Sequence, residues 1–146
     1  MANLTGKSII GFQPGGEGDP AVFGINPATG ESLQPGYAAV SETELNRAVE
    51  LAADAFEVFG KTSGTDKAAF LRKIADNIEA IGDDLARLAP QETGLPEARL
   101  NGERGRTTGQ LRLFAAHILE GDYLDRRHDA ALPERQPLPR PDLRMM

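Results

Sequence analysis

Arg99, Arg104, Arg106 and Arg112 fall within one short stretch, and they are the residues best suited to chemistry. On a helix, Arg99 and Arg106 are seven positions apart and point the same way, with Gly102 between them on that face. Arg104 lies near the edge of the face and Arg112 further along the helix. A guanidinium presents a planar fork of donors that grips a carboxylate or phosphate at two points. The functional expectation is therefore an anion-recognition site, Arg106 helped by Arg99, beside an opening lined by Gly102. The competing expectation is that these arginines pair with Glu97 and Glu103 on the surface, where such pairs are common and weak.

Other chemistry is hard to assemble. The chain has no cysteine, which removes a thiolate nucleophile, thiolate metal sites and disulfides together. His117 stands near the end of the same segment, where an imidazolium suits a helix C-terminus. His128 belongs to the polar stretch Asp125-Arg126-Arg127-His128-Asp129. Neither histidine has an acidic partner set by sequence spacing, so no metal site is expected. Asp83 and Asp84 are adjacent and diverge by about 100° on a helix, which suits no paired acid catalysis. No GxGxxG or GxxxxGK[ST] loop occurs. Gly15-Gly16-Glu17-Gly18 is framed by Pro14 and Pro20 and reads as a hairpin loop. The sequence thus offers no catalytic, cofactor-binding or metal-binding residue, and three candidates for substrate binding: Arg106, Arg99 and Gly102.

The elements that must carry these residues can be read from periodicity. Two short apolar runs, 8–12 and 21–25, predict strands joined by a turn-rich loop. Asn26-Pro27-Ala28-Thr29-Gly30-Glu31 predicts a turn in which Gly30 takes positive φ, and a short strand is expected around 38–40. Ser41 and Glu44 have capping-box spacing. Leu45, Val49, Ala52, Phe56 and Phe59 then recur at helical intervals up to Gly60. A second helix is expected from Thr65 or Asp66, with a stripe through Leu71, Ile74, Ile78, Ile81, Leu85 and Leu88, weakened at Gly82, where Asp83-Asp84 could start a new helical segment, and near Pro90, where a kink or frayed last turn is expected. A third begins at Pro96. Its first half carries Gly102, Gly105 and Gly109 on one face, each costing roughly 1 kcal/mol against alanine. Either another group approaches the backbone there, or the helix is irregular. Four prolines between 133 and 141 make the last segment an extended arm.

Composition sets outer bounds. The 146 residues suffice for one modest core; 40% hydrophobic and 26% charged residues are ordinary for a folded soluble protein. Net charge is −6, with the acidic excess confined to residues 1–93. That balance argues against a nucleic-acid partner. No apolar run reaches the ~20 residues that span a membrane, and the first residues lack a signal-peptide pattern, so the cytoplasm is the expected compartment.

Several of these segments also resemble a known family. Asn26 to Glu31 looks like a segment near the start of many aldehyde dehydrogenases. Ser41 to Phe59 is similar to that family's first helix, and Arg72-Lys73-Ile74-Ala75-Asp76-Asn77-Ile78 to its second. Glu92-Thr93-Gly94-Leu95-Pro96 resembles the entry to its third helix, and Leu111-Arg112-Leu113-Phe114-Ala115 that helix's later part. The matches are in order and cover about residues 20–120. Residues 94–100 and 102–111 look most like the branch oxidising 2-oxoglutarate semialdehyde.

The resemblance implies an α/β parent enzyme with a Rossmann-like cofactor domain, a catalytic domain and a protruding β arm used in oligomerisation. This chain would be a mainly α-helical fragment with short N-terminal strands and an extended C-terminal arm. Residues 1–121 would belong to the cofactor-binding half and 122–146 would begin the arm. The family's nucleophilic cysteine, general-base glutamate, oxyanion asparagine and dinucleotide-binding strands have no matching positions here. NADP or NAD would serve the parent and is not expected to bind this fragment. Its partners would be the remainder of the enzyme, homo-oligomer subunits and a small acidic aldehyde. The alternatives are a stand-alone helical interaction module and a separate small-ligand domain using the arginine face. A fragment is expected to be oligomeric, aggregation-prone or marginally stable, and a module monodisperse and cooperative in melting.

Overall fold

The computed structural model describes residues 4–16, 18 and 20–145. The chain opens with β1 (Ile9–Ile10) and β2 (Gln13–Pro14), paired antiparallel. The two residues between them, Gly11 and Phe12, have φ of 56° and 67°. Positive φ at both central positions matches a tight turn to the right-handed twist of the strands it joins. β3 (Pro20–Val22) pairs with β4 (Tyr37–Ala38), with a register shift between Pro20 and Val22. The two apolar runs expected to be neighbouring strands thus each find a different partner. The turn between β3 and β4 is as the sequence predicts. Asn26 Oδ1 accepts from the Ala28 amide at 2.9 Å, and Gly30 has φ 74°.

Helix α1 (Glu42–Phe59) starts on the expected capping box. The Ser41 hydroxyl accepts from the Glu44 amide at 3.2 Å, and Glu44 Oε2 accepts from the Ser41 amide at 2.8 Å. The carboxylate has a second duty that spacing could not reveal: its other oxygen accepts from the Gly16 amide at 2.6 Å. The backbone donors of Ser41 and Gly16 hold the Glu44 carboxyl below its ordinary range. One side chain thereby caps α1 and ties it to the β1–β2 hairpin.

The second helix expected from periodicity, weakened at Gly82 and with Asp83-Asp84 able to start a new helical segment, is two helices, α2 (Gly64–Ala80) and α3 (Gly82–Thr93), broken at Ile81. Gly82 is buried, and a side chain there would run into the Arg104 guanidinium. The glycine that weakens the helix is the position where a neighbouring arginine crosses. Pro90 lies inside α3, which runs on to Thr93 and stops at Gly94 in the left-handed region (φ 69°). Helix α4 (Glu97–Glu120) follows Pro96 and ends on Gly121, again left-handed (φ 76°).

The core lies chiefly between α2 and α4 and is built from small side chains. Ala68 and Ala75 of α2, Ala115 and Thr108 of α4, and Ala86 of α3 are the buried ones. Ala68 and Ala75 are seven apart, as are Thr108 and Ala115, so each pair lies on one face of its helix. The larger side chains of the expected stripe are half-buried, as with Leu71, Ile74 and Ile78, or exposed, as with Ile81 and Leu85. They flank the alanine seam. After a single 3-10 turn (Asp122–Leu124) the arm is not merely extended: β5 (Arg127–Asp129) pairs with β6 (Leu143–Met145), and Leu132 bridges to Arg140. Its prolines occupy the connection of this long hairpin, where no ladder donor is needed.

Candidate functional site

Helix α4 positions all four candidate arginines, and the structure divides them into two sets. Arg104 and Arg112 turn toward α2. Arg104 Nε lies 3.2 Å from Glu79 Oε2, and Arg112 Nη2 lies 3.0 Å from Asp76 Oδ1. Thr108, between them, donates its hydroxyl to Glu79 Oε1 at 2.7 Å. Glu79 is the hub: both of its oxygens accept, and Thr108 is all but fully buried beneath it. These are cross-helix links that fix the register of α4 on α2, and sequence reasoning missed them. Pairs separated by about 30 residues leave no periodic trace, although Gly82 was a signal that something crosses there.

Arg99 and Arg106 face the other way, as their spacing requires. Arg99 Nη2 pairs with Glu103 Oε1 at 2.7 Å across one helical turn, as the surface reading expected. Both partners are largely exposed, so the pair is worth at most about 1 kcal/mol and yields readily to a better acceptor. Arg106 is exposed and has no hydrogen bond or ion pair among the described residues. Glu97, its other proposed surface partner, lies nine positions back on the helix, out of reach. Gly102 shares the Arg106 face, and open space stands where a side chain would be at Gly102, Gly105 and Gly109. The helix is unbroken from 97 to 120. Neither explanation expected for the three glycines is met within the described residues: nothing approaches them, and the helix is regular. The arrangement leaves an exposed guanidinium, without a partner among the described residues, on a helix face where the glycines carry no side chain, and such a guanidinium can grip a planar anion.

The histidines are placed elsewhere. His117 stacks near Tyr123, ring centres 5.2 Å apart, in the last turn of α4. The expectation that His128 lacks an ordered acidic partner is overturned: its Nε2 is 2.7 Å from Asp142 Oδ1, brought across by the β5–β6 pairing. One carboxylate on one imidazole does not make a metal site, and no group of three or more such ligands occurs among the described residues. The described sheets are all two-stranded and antiparallel. A dinucleotide seats in the crevice at the carboxyl ends of parallel strands, and none of the described sheets is of that kind. Among the described residues, no helix is long and apolar enough to cross a membrane.

Known proteins resemble this chain along nearly all of it. The sequence model of the Aldehyde dehydrogenase family matches residues 16–138. Alpha-ketoglutaric semialdehyde dehydrogenase 2 of Azospirillum brasilense is 45% identical over 143 residues, 97% of this chain and 27% of its own length. Alpha-ketoglutaric semialdehyde dehydrogenase of Acinetobacter baylyi (strain ATCC 33305 / BD413 / ADP1) is 42% identical over 144 residues, 99% of this chain and again 27% of its own length. The chain spans about a quarter of the length of these curated relatives.

Proposed function

We propose, from the premise that this chain belongs to the aldehyde dehydrogenase family, that it forms the N-terminal part of a cytoplasmic enzyme oxidising 2-oxoglutarate (alpha-ketoglutaric) semialdehyde to 2-oxoglutarate. The observation that carries this reading is the 42–45% identity to two relatives named for that activity, along practically the whole chain. Residues 1–121 belong to the cofactor-binding half and 122–146 begin the oligomerisation arm. The nicotinamide cofactor, NADP or NAD, supplies the hydride acceptor, and the groups that hold it and the nucleophile come from the rest of the enzyme. With no cysteine, this chain is inactive alone.

Its own contribution is recognition. The substrate carries a carboxylate remote from its aldehyde carbon. Arg106, exposed and uncommitted, takes that carboxylate in a bidentate pair. Gly102 leaves the backbone bare beside it, and Arg99 exchanges Glu103 for the substrate. A charge-assisted contact of this kind is worth about 1.5–3 kcal/mol and is spent on orienting the aldehyde. Glu79, Arg104, Thr108 and Arg112 do not touch substrate and set the position of α4.

The test is Arg106→Ala in an enzyme carrying this segment joined to the remaining length of its relatives. Preference for acidic over neutral aldehydes falls about 10- to 100-fold, and kcat/KM for neutral aldehydes is unchanged. An unaltered preference refutes the assignment. The 146-residue chain alone shows no turnover and no thermal shift with NADP+ or NAD+; a shift with either overturns the division of labour.

A further inference from the structure

Arg106 can serve recognition only while the turn that carries it holds its shape, and α4 is at its weakest there. Its first half bears Gly102, Gly105 and Gly109, and glycine in a helix interior favours unwinding. Pro96 gives the first turn no side-chain cap, and the buried residues of α4 begin only at Thr108. The Arg99–Glu103 pair is exposed and weak. Local propensity does not hold this turn, so contacts from outside α4 must.

Those contacts converge on Glu79 of α2. Arg104 and Thr108 stand two residues before and two after Arg106, about 160° around the helix from it and about 40° from each other. Arg104 Nε lies 3.2 Å from Glu79 Oε2, and the Thr108 hydroxyl donates to Glu79 Oε1 at 2.7 Å. That hydroxyl also lies 3.3 Å from the Gly105 carbonyl oxygen, so the clamp reaches into the weak stretch. The Arg104 guanidinium reaches Glu79 across Gly82, which has no side chain to push it away. One carboxylate thus grips the back of the turn whose front presents Arg106. The next cross-helix pair, Arg112 with Asp76 at 3.0 Å, lies beyond the last of the three glycines. We propose that Glu79 is a positioning residue for Arg106. By holding Arg104 and Thr108 it keeps residues 102–109 helical, fixes the direction of the Arg106 guanidinium and so sets the preference for acidic substrates. This rests on the Arg106 reading above and names the residue, on another helix, that makes it effective.

The experiment compares three variants of the 146-residue chain by amide exchange. Glu79→Ala removes the clamp. Gly82→Ala leaves Glu79 in place and puts a methyl group where the flexible end of Arg104 runs, displacing it. Asp76→Ala removes a cross-helix pair of the same kind away from the glycines. Residues 102–109 exchange about fivefold or more faster in Glu79→Ala, about threefold or more in Gly82→Ala, and within about twofold of wild type in Asp76→Ala. In the enzyme carrying this segment joined to the remaining length of its relatives, Glu79→Ala lowers the preference for acidic over neutral aldehydes about fivefold or more. Glu79→Gln, which still accepts from Thr108 but lacks the charge that holds Arg104, falls between it and wild type. In the Arg106→Ala background, Glu79→Ala lowers the preference by less than about twofold further, because it acts through that arginine. Unchanged exchange of residues 102–109 in Glu79→Ala overturns the proposal, as does equal acceleration in Asp76→Ala. So do additive losses in the double variant. A preference lost in Arg106→Ala but kept in Glu79→Ala overturns this inference and spares the substrate assignment. An unaltered preference in Arg106→Ala refutes that assignment, and the exchange rates then decide separately whether Glu79 holds the turn.

Discussion

Helices α1 and α2 carry equally regular apolar stripes, yet they meet different fates. Helix α2 finds α4, and the two close on an alanine seam with Glu79 gathering Arg104, Thr108 and Arg112 above it. Helix α1 is held at its N-terminus by Glu44 and at its C-terminus by an edge-on contact of Phe59 with Phe70, ring centres 5.9 Å apart. Between those ties its apolar face meets solvent. Amphipathic periodicity states which face seeks burial and says nothing about whether the partner lies in the same 146 residues. Burial, rather than pattern, separates the helix that packs within these residues from the one whose apolar face stays exposed.

The largest effects belong at the α2–α4 seam. Ala75→Leu or Ala115→Leu forces methyl groups into a filled space and destabilises by about 1–3 kcal/mol in urea unfolding. Val49→Ala on α1 stays within about 0.5 kcal/mol. Equal costs at the two places would break the contrast. Glu79→Ala comes next. It removes the acceptor shared by Arg104 and Thr108 and costs about 1 kcal/mol, discounted because Glu79 is partly exposed. Thr108, once buried without an acceptor from α2, should then exchange its amide faster.

At α1 the effect is one of pH. The folded Glu44 carboxyl lies below its ordinary value of 4.5, so the folded state holds this proton less tightly than the unfolded chain. Its contribution is therefore fully present above that ordinary value and is lost as pH falls through the folded one. Glu44→Gln should remove this part of the acid dependence. In the wild type, amides of residues 9–16 and of the first turn of α1 should lose protection together on acidification, before those of α2. The smallest effect is expected at Phe12, which holds φ 67° without being glycine and is almost fully exposed. Phe12→Asn keeps the left-handed turn at lower strain and stabilises by about 0.5 kcal/mol, visible as a small rise in Tm.

Much of this was legible in the sequence where the signal is local. The Ser41–Glu44 box, the Pro96 entry and the Gly30 turn each depend on neighbours a few residues apart. Gly82 marked a weakness whose cause, the crossing of Arg104, required knowing how α4 lies against α3. Arg99 and Arg106 could be placed on one face from spacing alone, and Arg99–Glu103 could be anticipated as a one-turn pair. The ties of Glu79 to Arg104, of Glu44 to Gly16 and of His128 to Asp142 could not. Each joins segments whose relative register is set by packing. The arm read as extended because its prolines forbid helix, while its pairing into a hairpin is a long-range property.

Amide exchange of the isolated 146-residue chain, at concentrations where it is monomeric, tests the contrast between the helices most directly. The account predicts that amides along residues 45–58 exchange at least about a hundredfold faster than those around Ala68–Ala75 and Thr108–Ala115. Equal protection of all three helices in a monomer would contradict it.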